Sequence, residues 1–173
     1  MFKLRFIKED IKLWASKYTY PGEDKVKREI SPHVKDLGYF NKEDFIDLCK
    51  WKTPRTQPRC KNNTDEYIKE ITTLALSTSN KQLQIEILTL LEGVRFPTAS
   101  AILHFTHKED YPILDFRALW SLNCEVPKRY TFEFWDTYTI FCRELANESN
   151  VSMRVLDRAL WQYSKEKQPS KFL

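Results

Sequence analysis

Glycine is unusually scarce in this sequence. Only three of the 173 residues are glycine, Gly22, Gly38 and Gly93, against an average usage of about 7%. Dinucleotide-binding folds, phosphate-binding loops and many-turned β-sandwiches depend on glycine for tight turns and close backbone approach, so the scarcity argues against these classes. The chain is nevertheless 42% hydrophobic and 14% aromatic, which allows a packed core and argues against general disorder. Its length favours one domain or one compact pair of subdomains.

Long apolar runs and paired cysteines are also missing. No apolar stretch approaches the ~20 residues that a membrane helix needs, and residues 1–10 contain no apolar signal-peptide core. The cysteines show neither CxxC spacing nor the cluster of an iron–sulfur site, so we expect free thiols in a cytoplasmic protein, associated with the nucleoid if the source is bacterial. The four cysteines are Cys49, Cys60, Cys124 and Cys142.

Positive charge is concentrated in the first third of the chain. Residues 1–60 carry 14 basic and 9 acidic side chains, whereas residues 61–173 carry 14 and 15, for a net charge of +4. Residues 48–63 hold five basic side chains and no acidic one. This asymmetry makes an acidic polymer such as a nucleic acid a candidate partner, although surplus charge also serves solubility alone.

Apolar residues recur at helical spacing along most of the chain, and no segment alternates as a strand does. We therefore predict an all-α fold. Residues 21–40 are expected to form an irregular connection broken by Pro32 and Gly38. The predicted helices and apolar stripes span 6–19, 41–51, 67–75, 83–91, 98–107, 115–123, 131–147 and 151–166. The residues expected to cap helices are Asn41, Asn63 or Thr64, Thr131, and Asn150 or Ser152.

The segment 91–103 (LEGVRFPTASAIL) predicts two helices joined by a very short turn. One helix ends at Leu91 or Glu92, and Gly93 supplies the left-handed residue that stops it. Pro97 lies where a first helical residue is tolerated, because its missing N–H would have been unpaired. The second helix begins with small residues, and its free N–H groups and dipole favour an anion such as a phosphate. The alternative interpretation is an ordinary corner between two helices.

A second motif follows the hairpin. Residues 111–120 (YPILDFRALW) place Asp115 at the start of the next predicted helix, eighteen residues after Pro97. One interpretation of Asp115 is an N-cap worth about 1 kcal/mol. A catalytic carboxylate is the other interpretation, and one side chain can serve in both ways.

Together the two motifs resemble the helix–hairpin–helix superfamily of base-excision DNA glycosylases. In that family a hairpin L-x-G-V-x-x-x-T-A leads through a helix to a loop that ends in a catalytic aspartate. The strong match spans about residues 84–122, and the stretch 112–115 is most similar to the adenine-mismatch and endonuclease III-type branch. The residues that match the hairpin are Leu91, Gly93, Val94, Thr98 and Ala99.

The resemblance implies an enzyme that extrudes a damaged, mismatched or modified base and cleaves its N-glycosidic bond. Asp115 would stabilise the oxocarbenium-like transition state. Bifunctional members carry a lysine nucleophile where this chain has Pro97, so we expect a monofunctional glycosylase. The implied architecture is a single domain, residues 1–173, in which two small helical subdomains flank a cleft. Residues 41–114 would form the middle subdomain, with 1–40 and 115–173 forming the second.

The expected partner is double-stranded DNA rather than a membrane, and a monomer is favoured. Trp51, within the basic stretch, is interpreted either as a stacking residue for a displaced base or as part of the core. The residues expected to contact DNA are Gly93, Val94, Arg95, Phe96, Thr98 and Ala99 of the hairpin, together with Lys52, Arg55 and Arg59.

No cofactor is expected, although the hairpin of the family can hold a monovalent cation with backbone carbonyls. His104 and His107 have a spacing that metal ligands can show, but imidazoles near a helix end also complement the dipole. Two other functions stay open at this point. The first is a DNA-binding module that kept the hairpin and lost base excision, and the second is a helical adaptor between proteins.

Overall fold

The computed structural model describes residues 2–169, and this part of the chain contains helices and no strand. The predicted all-α fold is confirmed. The helices are, in chain order, α1 Ile11–Ser16, α2 Glu23–Lys25, α3 Ser31–Leu37, α4 Lys42–Lys52, α5 Gln57–Cys60, α6 Asp65–Ser77, α7 Lys81–Leu88, α8 Phe96–Thr106, α9 Phe116–Ser121, α10 Phe132–Glu148 and α11 Met153–Lys167. A 3-10 turn, Lys8–Asp10, precedes α1, and a π-helical turn, Val26–Ile30, joins α2 to α3.

The chain divides into two compact units. We call residues 20–109 the hairpin unit, and residues 2–19 with 110–169 the terminal unit. In the hairpin unit, α8 is almost wholly buried and packs against α3, α4 and α7. In the terminal unit, α11 packs against α1, α9 and α10. The prediction of a single domain with a cleft stays a prediction.

Side-chain caps define where most of the longer helices begin. In each case a side-chain oxygen accepts a hydrogen bond from the N–H three residues later, which satisfies one donor of the first turn. The structure resolves the two alternatives in favour of Thr64 and Ser152. The capping residues are Asn41, Thr64, Asn80, Thr131 and Ser152.

The expected irregular connection at 21–40 is wrong, because residues 23–37 are helical without a break. Pro32 has no N–H, and its ring crowds the carbonyl four residues earlier. The π-helical turn directly before α3 accommodates this mismatch. Val26, Ile30 and Val34 are buried on one side of the stretch, and the Ser31 hydroxyl donates to the Phe105 carbonyl on α8. These contacts place residues 20–40 in the hairpin unit, unlike the predicted division at residue 41.

Three helix boundaries also differ from the sequence prediction. The helix expected over 6–19 is shorter at both ends, since α1 spans Ile11–Ser16 after the 3-10 turn. Before that turn, the N–H groups of Lys3 and Arg5 donate to the carbonyls of Leu122 and Ser121, both at 2.9 Å. The stripe at 83–91 ends its α-helix at Leu88, three residues before the expected end. The loop expected between α4 and α6 contains the short helix α5.

All four cysteines are free thiols, as predicted. Cys49, Cys60 and Cys142 are buried, and Cys124 is half-buried. No helix in the described part of the chain is both long and apolar enough to cross a membrane.

Candidate functional site

Gly93 forms the turn of the hairpin, and the structure gives two reasons why this residue is glycine. Its φ is +81°, a conformation that other residues rarely adopt. A Cβ at this position would lie 2.6 Å from Cys60 Sγ and 2.9 Å from the Thr56 carbonyl oxygen. The turn is therefore pressed against α5 and its preceding residue, with no room for a side chain.

Asn63 connects this turn to the segment between α5 and α6 through hydrogen bonds of its side chain. Its side chain is buried; Nδ2 donates to the carbonyls of Cys60 (2.9 Å) and Glu92 (3.1 Å), and Oδ1 accepts from the Glu92 N–H at 2.9 Å. The neighbouring Asn62 Nδ2 donates to the Glu92 carboxylate at 2.9 Å. The sequence offered Asn63 only as an alternative cap, because nothing local shows that its amide pairs with a backbone 29 residues away.

The hairpin presents backbone donors that the protein itself does not use. In residues 2–169 the N–H groups of Gly93, Arg95 and Phe96 find no protein acceptor, and Pro97 has no N–H. The N–H groups of Thr98 and Ala99, which follow Pro97, both donate to the Arg95 carbonyl at 2.9 Å. Unused N–H groups at the start of a helix attract anions such as phosphates. The exposed Arg95 side chain adds a positive charge at the same place.

Several predicted contact residues instead hold the hairpin together through their side chains. Val94, Thr98 and Ala99 are buried, so only their backbone can face a ligand. Thr98 Oγ1 lies 3.2 Å from Thr53 Oγ1, at the end of α4. Phe96 is half-buried at the first position of α8.

The basic loop, residues 53–63, lies against the hairpin through Thr56 and Cys60. Arg55 and Arg59 of this loop are exposed, and Lys52 at the end of α4 is half-buried. The predicted basic residues therefore lie on segments in contact with the turn, although Arg59 and Gly93 are far apart in the sequence. That arrangement suits binding to a nucleic-acid backbone.

Trp51 is a packing residue in this structure. Its ring meets Tyr20 edge-on at 5.6 Å and Phe105 edge-on at 5.3 Å between centroids. These contacts support the core interpretation, while the ring is only half-buried and also lines a pocket, so part of it stays accessible to a ligand.

Asp115 lies in the terminal unit and caps α9, as predicted. Its Oδ1 accepts from the Arg117 N–H at 2.9 Å, and its side chain is only half-buried. The four preceding residues, 111–114, are all buried. A carboxylate at the exposed end of a buried segment is held in position while staying reachable by a ligand.

Two buried side chains fix the peptide groups just before Asp115. The carboxylate of Asp157 accepts from the Ile113 N–H at 3.2 Å, and the Tyr138 hydroxyl donates to the Ile113 carbonyl at 2.9 Å. Burial, followed by the charges of Cys142 and Asp157, raises the pKa of Tyr138 well above its ordinary value. Tyr138 therefore stays a hydrogen-bond donor over the whole physiological range.

Aromatic packing holds the start of the same segment. Tyr111 stacks on Trp135 with 5.2 Å between ring centroids, and the Arg143 guanidinium lies 4.7 Å above the Tyr111 ring. Arg143 Nε also donates to the Asp110 carbonyl at 2.7 Å. Trp135 and Tyr138 both lie on α10, and their contact with the segment before Asp115 could not be predicted from helical spacing.

Tyr130 is a neighbour of Asp115 that the sequence did not reveal. Burial raises the pKa of Tyr130 to about 12, and the negative charge of Asp115 adds to the increase. The phenol is therefore neutral at pH 7 and within electrostatic range of the carboxylate. No local pattern marks this residue, since it lies in the irregular segment before α10.

The two histidines have structural surroundings. His107 is buried; its Nδ1 accepts from the Glu109 N–H at 3.0 Å, and its Nε2 lies 3.2 Å from Gln84 Nε2. His104 packs edge-on against Phe105. Within the described residues no three His, Cys, Asp or Glu side chains are grouped so as to hold a metal ion. The prediction about cofactors, including a cation at the hairpin, is untested and stays a prediction.

Comparison with known proteins gives a result at the level of fold. No family model matches the chain, and no curated protein matches its sequence. The chain is similar to the solved structure of the 8-oxoguanine glycosylase/lyase of Methanocaldococcus jannaschii in complex with a 15mer DNA containing 8-oxoguanine, with a TM-score of 0.52, 17% identity, and coverage of 94% of this chain and 81% of that one. It is also similar to the 8-oxoguanine DNA glycosylase of Thermotoga maritima, with a TM-score of 0.53, 18% identity, and coverage of 92% and 79%.

These similarities show the class of fold alone: the chain has the helical fold of these two DNA glycosylases. The resemblance drawn from the hairpin and from Asp115 is thus confirmed for the fold. These two neighbours are 8-oxoguanine glycosylases, which does not bear out the adenine-mismatch and endonuclease III-type branch that the motif at 112–115 predicted.

Proposed function

We propose that this protein is a DNA glycosylase that removes a damaged base from double-stranded DNA. The observation that carries the proposal is the combination of two features on a glycosylase fold. One is a hairpin with unused N–H donors beside exposed arginines, and the other is a half-buried carboxylate at the end of a buried segment. The first feature suits a DNA phosphate, and the second suits a positive charge that develops on a sugar.

Asp115 is the proposed catalytic residue. The C1′–N bond breaks with its electron pair leaving on the base, and positive charge develops on the sugar ring. A carboxylate near C1′ stabilises that charge and orients the water whose oxygen bonds to C1′. The proton that this water loses to solvent balances the proton that the departing base takes up. Capping α9 with one oxygen fixes the orientation of the side chain, so little reorganisation is needed during the reaction.

The proposed glycosylase is monofunctional. Pro97 occupies the position of the lysine nucleophile in bifunctional members, and proline has no amine that can form a Schiff base with the sugar. The product is then an abasic site in an intact strand. The Methanocaldococcus neighbour is described as a glycosylase/lyase, so this is a proposed difference between the two proteins.

An oxidised guanine is the first base to test, because both neighbours are 8-oxoguanine glycosylases. The experiment is a panel of duplexes with single lesions or mismatches, incubated with the wild-type protein and with Asp115→Asn, and divided into samples with and without alkali. We expect cleavage at one lesion only after alkali, and only with the wild type. Strand breaks before alkali would contradict the monofunctional assignment.

The experiment also separates the alternative function. A protein that binds every duplex and yields no alkali-sensitive site with any lesion would be a helix–hairpin–helix DNA-binding module without base excision. If the protein binds no duplex, the result would favour the third function, a helical adaptor between proteins. The partner, the monomeric state and a cytoplasmic location belong to the same proposal.

A further inference from the structure

A pocket of about 460 Å³ lies within the hairpin unit, between the segment before α2, the π-helical turn and the second half of α4. Its volume is in the range of small-molecule sites. The walls are mainly apolar and include the aromatic side chains of Tyr20 and Trp51, while the charged lining residues are Lys25, Asp47 and Lys50. None of these five residues belongs to the hairpin or to the surroundings of Asp115, although Lys50 and Trp51 lie in the basic stretch 48–63 and Pro54 of the basic loop also lines the pocket.

The aromatic walls are held in place without a ligand. Trp51 lies between the edge-on rings of Tyr20 and Phe105, and the Tyr20 hydroxyl donates to the Trp51 carbonyl at 2.7 Å. Gly22 contributes by its lack of a side chain, because a Cβ there would lie 3.3 Å from Trp51 Cδ1. Because both rings are already ordered, a planar ligand would lose little affinity to their immobilisation.

The charges at the pocket determine which planar ligand suits it. Lys25 Nζ lies 2.5 Å from Asp47 Oδ2, with 52% and 28% of the two side chains exposed. The hydrogen bond that Lys25 donates to Asp47, followed by the negative charge of that carboxylate, raises the pKa of Lys25, so the amine stays protonated. Lys50 is exposed and, among residues 2–169, has no ion-pair partner. With two positive charges and one negative charge, the pocket disfavours the organic cations that aromatic cages bind and favours a planar anion.

The neighbouring ammonium and carboxylate groups match one nucleobase in particular. The carboxylate of Asp47 can accept from the N1–H and N2–H groups of guanine, while Lys25 donates to the adjacent O6. Adenine offers one amino group and a ring acceptor along the same edge, so it satisfies this pair less well. Lys50, which is not used by the base, can bind the phosphate of the same nucleotide. We propose that the pocket formed by Trp51, Tyr20, Lys25, Asp47 and Lys50 binds a guanine nucleotide.

The nucleotide can be free in solution or be an unstacked residue of a single strand, since both carry the same base and phosphate. The site is independent of Asp115 and of base excision, so the outcome of the glycosylase assay does not affect it.

The test uses the indole N–H signals of the full-length protein in ¹⁵N–¹H correlation spectra. The chain has five tryptophans, and Trp51 is the one in the hairpin unit; Trp51→Phe assigns its signal. Titration with deoxyguanosine monophosphate should shift the Trp51 signal saturably, while the other four signals stay in place and report an intact fold. Deoxyguanosine should bind more weakly, and inorganic phosphate should leave the signal unmoved.

Two variants test the assigned roles, with Lys35→Gln on α3 as the matched control. Lys50→Gln should weaken binding of the monophosphate by about fivefold, and Lys35→Gln should leave it unchanged. Asp47→Asn should abolish a preference for deoxyguanosine over deoxyadenosine monophosphate of about tenfold. No shift at Trp51, equal shifts at all five indoles, no preference between the bases, or equal effects of the two lysine variants would overturn the proposal.

A short single strand with one central guanine distinguishes the two sources. If it shifts the Trp51 signal at lower concentration than the free nucleotide does, the pocket receives a nucleotide of a strand. Equal or weaker binding of the strand assigns the pocket to the free nucleotide. Failure of both ligands to move the signal contradicts the site.

Discussion

Gly93 illustrates how a single residue can be constrained both by its own backbone and by its neighbours. Its left-handed φ favours glycine in any surroundings, whereas the contact with Cys60 and Thr56 arises only in the folded chain. Gly38 shares the first constraint, with φ +78°, but a Cβ added there would have no atom within 4 Å. The sequence could identify Gly93 as a turn residue, but not the lack of space around it.

Replacing the two glycines separates these constraints. Gly38→Ala should lower the free energy of unfolding by about 1 kcal/mol, through backbone strain alone. Gly93→Ala should lower it by about 2–4 kcal/mol, because the turn must also move away from α5. Urea unfolding measures both values. Equal losses for the two variants would show that the contact with α5 is unimportant.

Tyr130 gives a prediction about high pH. A phenol whose pKa rises from 10 to about 12 on folding favours the folded state fully below pH 10, and this contribution is lost as the pH rises through 12. Since the side chain is partly exposed, we expect a loss of only about 1 kcal/mol. Tyr130→Phe has no phenol to ionise, so the free energy of unfolding of this variant should fall by about 1 kcal/mol less than that of the wild type between pH 10 and 12. An unchanged pH profile of urea unfolding would contradict the placement of this phenol. Tyr138 remains as a second source of pH dependence in both proteins.

Among the structural elements, the segment 110–115 shows how the helices of the terminal unit position a functional side chain. Tyr138 on α10 and Asp157 on α11 bind opposite ends of the Ile113 residue, two residues before Asp115. The position of the proposed catalytic carboxylate is therefore set by two helices that do not contain it.

Tyr138→Phe tests this positioning, because the ring stays and only the hydrogen bond to Ile113 is lost. We expect a stability loss of about 1 kcal/mol and a fall in the single-turnover rate of about tenfold, with little change in DNA affinity. Tyr163→Phe is the control, since its hydroxyl donates to the Arg5 carbonyl in the same unit at 3.2 Å. A rate no lower than that of the control would show that Tyr138 is only a packing residue.

Lys52 at the end of α4 and Arg55 of the basic loop give a prediction about salt. Lys52→Ala combined with Arg55→Ala should weaken binding to duplex DNA and flatten the dependence of log K on log salt by about two, because each phosphate contact contributes about 0.9 to the slope. Lys27→Ala with Lys35→Ala removes two exposed lysines from the same unit as a control. An unchanged slope in the first double variant would exclude the loop from the DNA interface.

Helix starts were easier to predict than helix ends or connections. Asn41 and Thr131 each accept a hydrogen bond from the N–H group three residues later. A local sequence pattern is therefore enough to identify them as helix caps. Pro32 led to the wrong prediction of a break in the helix. The π-helical turn that accommodates this proline has no signal in the sequence, so the continuous helix could not be predicted. The end of the stripe at 83–91 was also missed, since Leu91 is buried in the hairpin turn rather than in a helix.

For the whole molecule, the class of fold and the two motifs could be predicted, because each motif lies within about a dozen residues. Asn63, Tyr130 and Asp157 could not be assigned, because each acts on a segment that is distant in the sequence. The packing of the helices decides which residues, distant in the sequence, form the hydrogen bonds that position a site. A single sequence does not record which distant polar groups that packing brings together.

The most direct test of the central claim compares DNA binding and base excision in Asp115→Asn. Asparagine is as good an N-cap as aspartate, so the fold and the affinity for lesion-containing duplex should stay close to those of the wild type. The single-turnover rate of base release should fall by at least about 10²-fold, because the charge that stabilises the transition state is gone. Full activity in the variant, with unchanged binding, would contradict the assignment of Asp115 as the catalytic carboxylate.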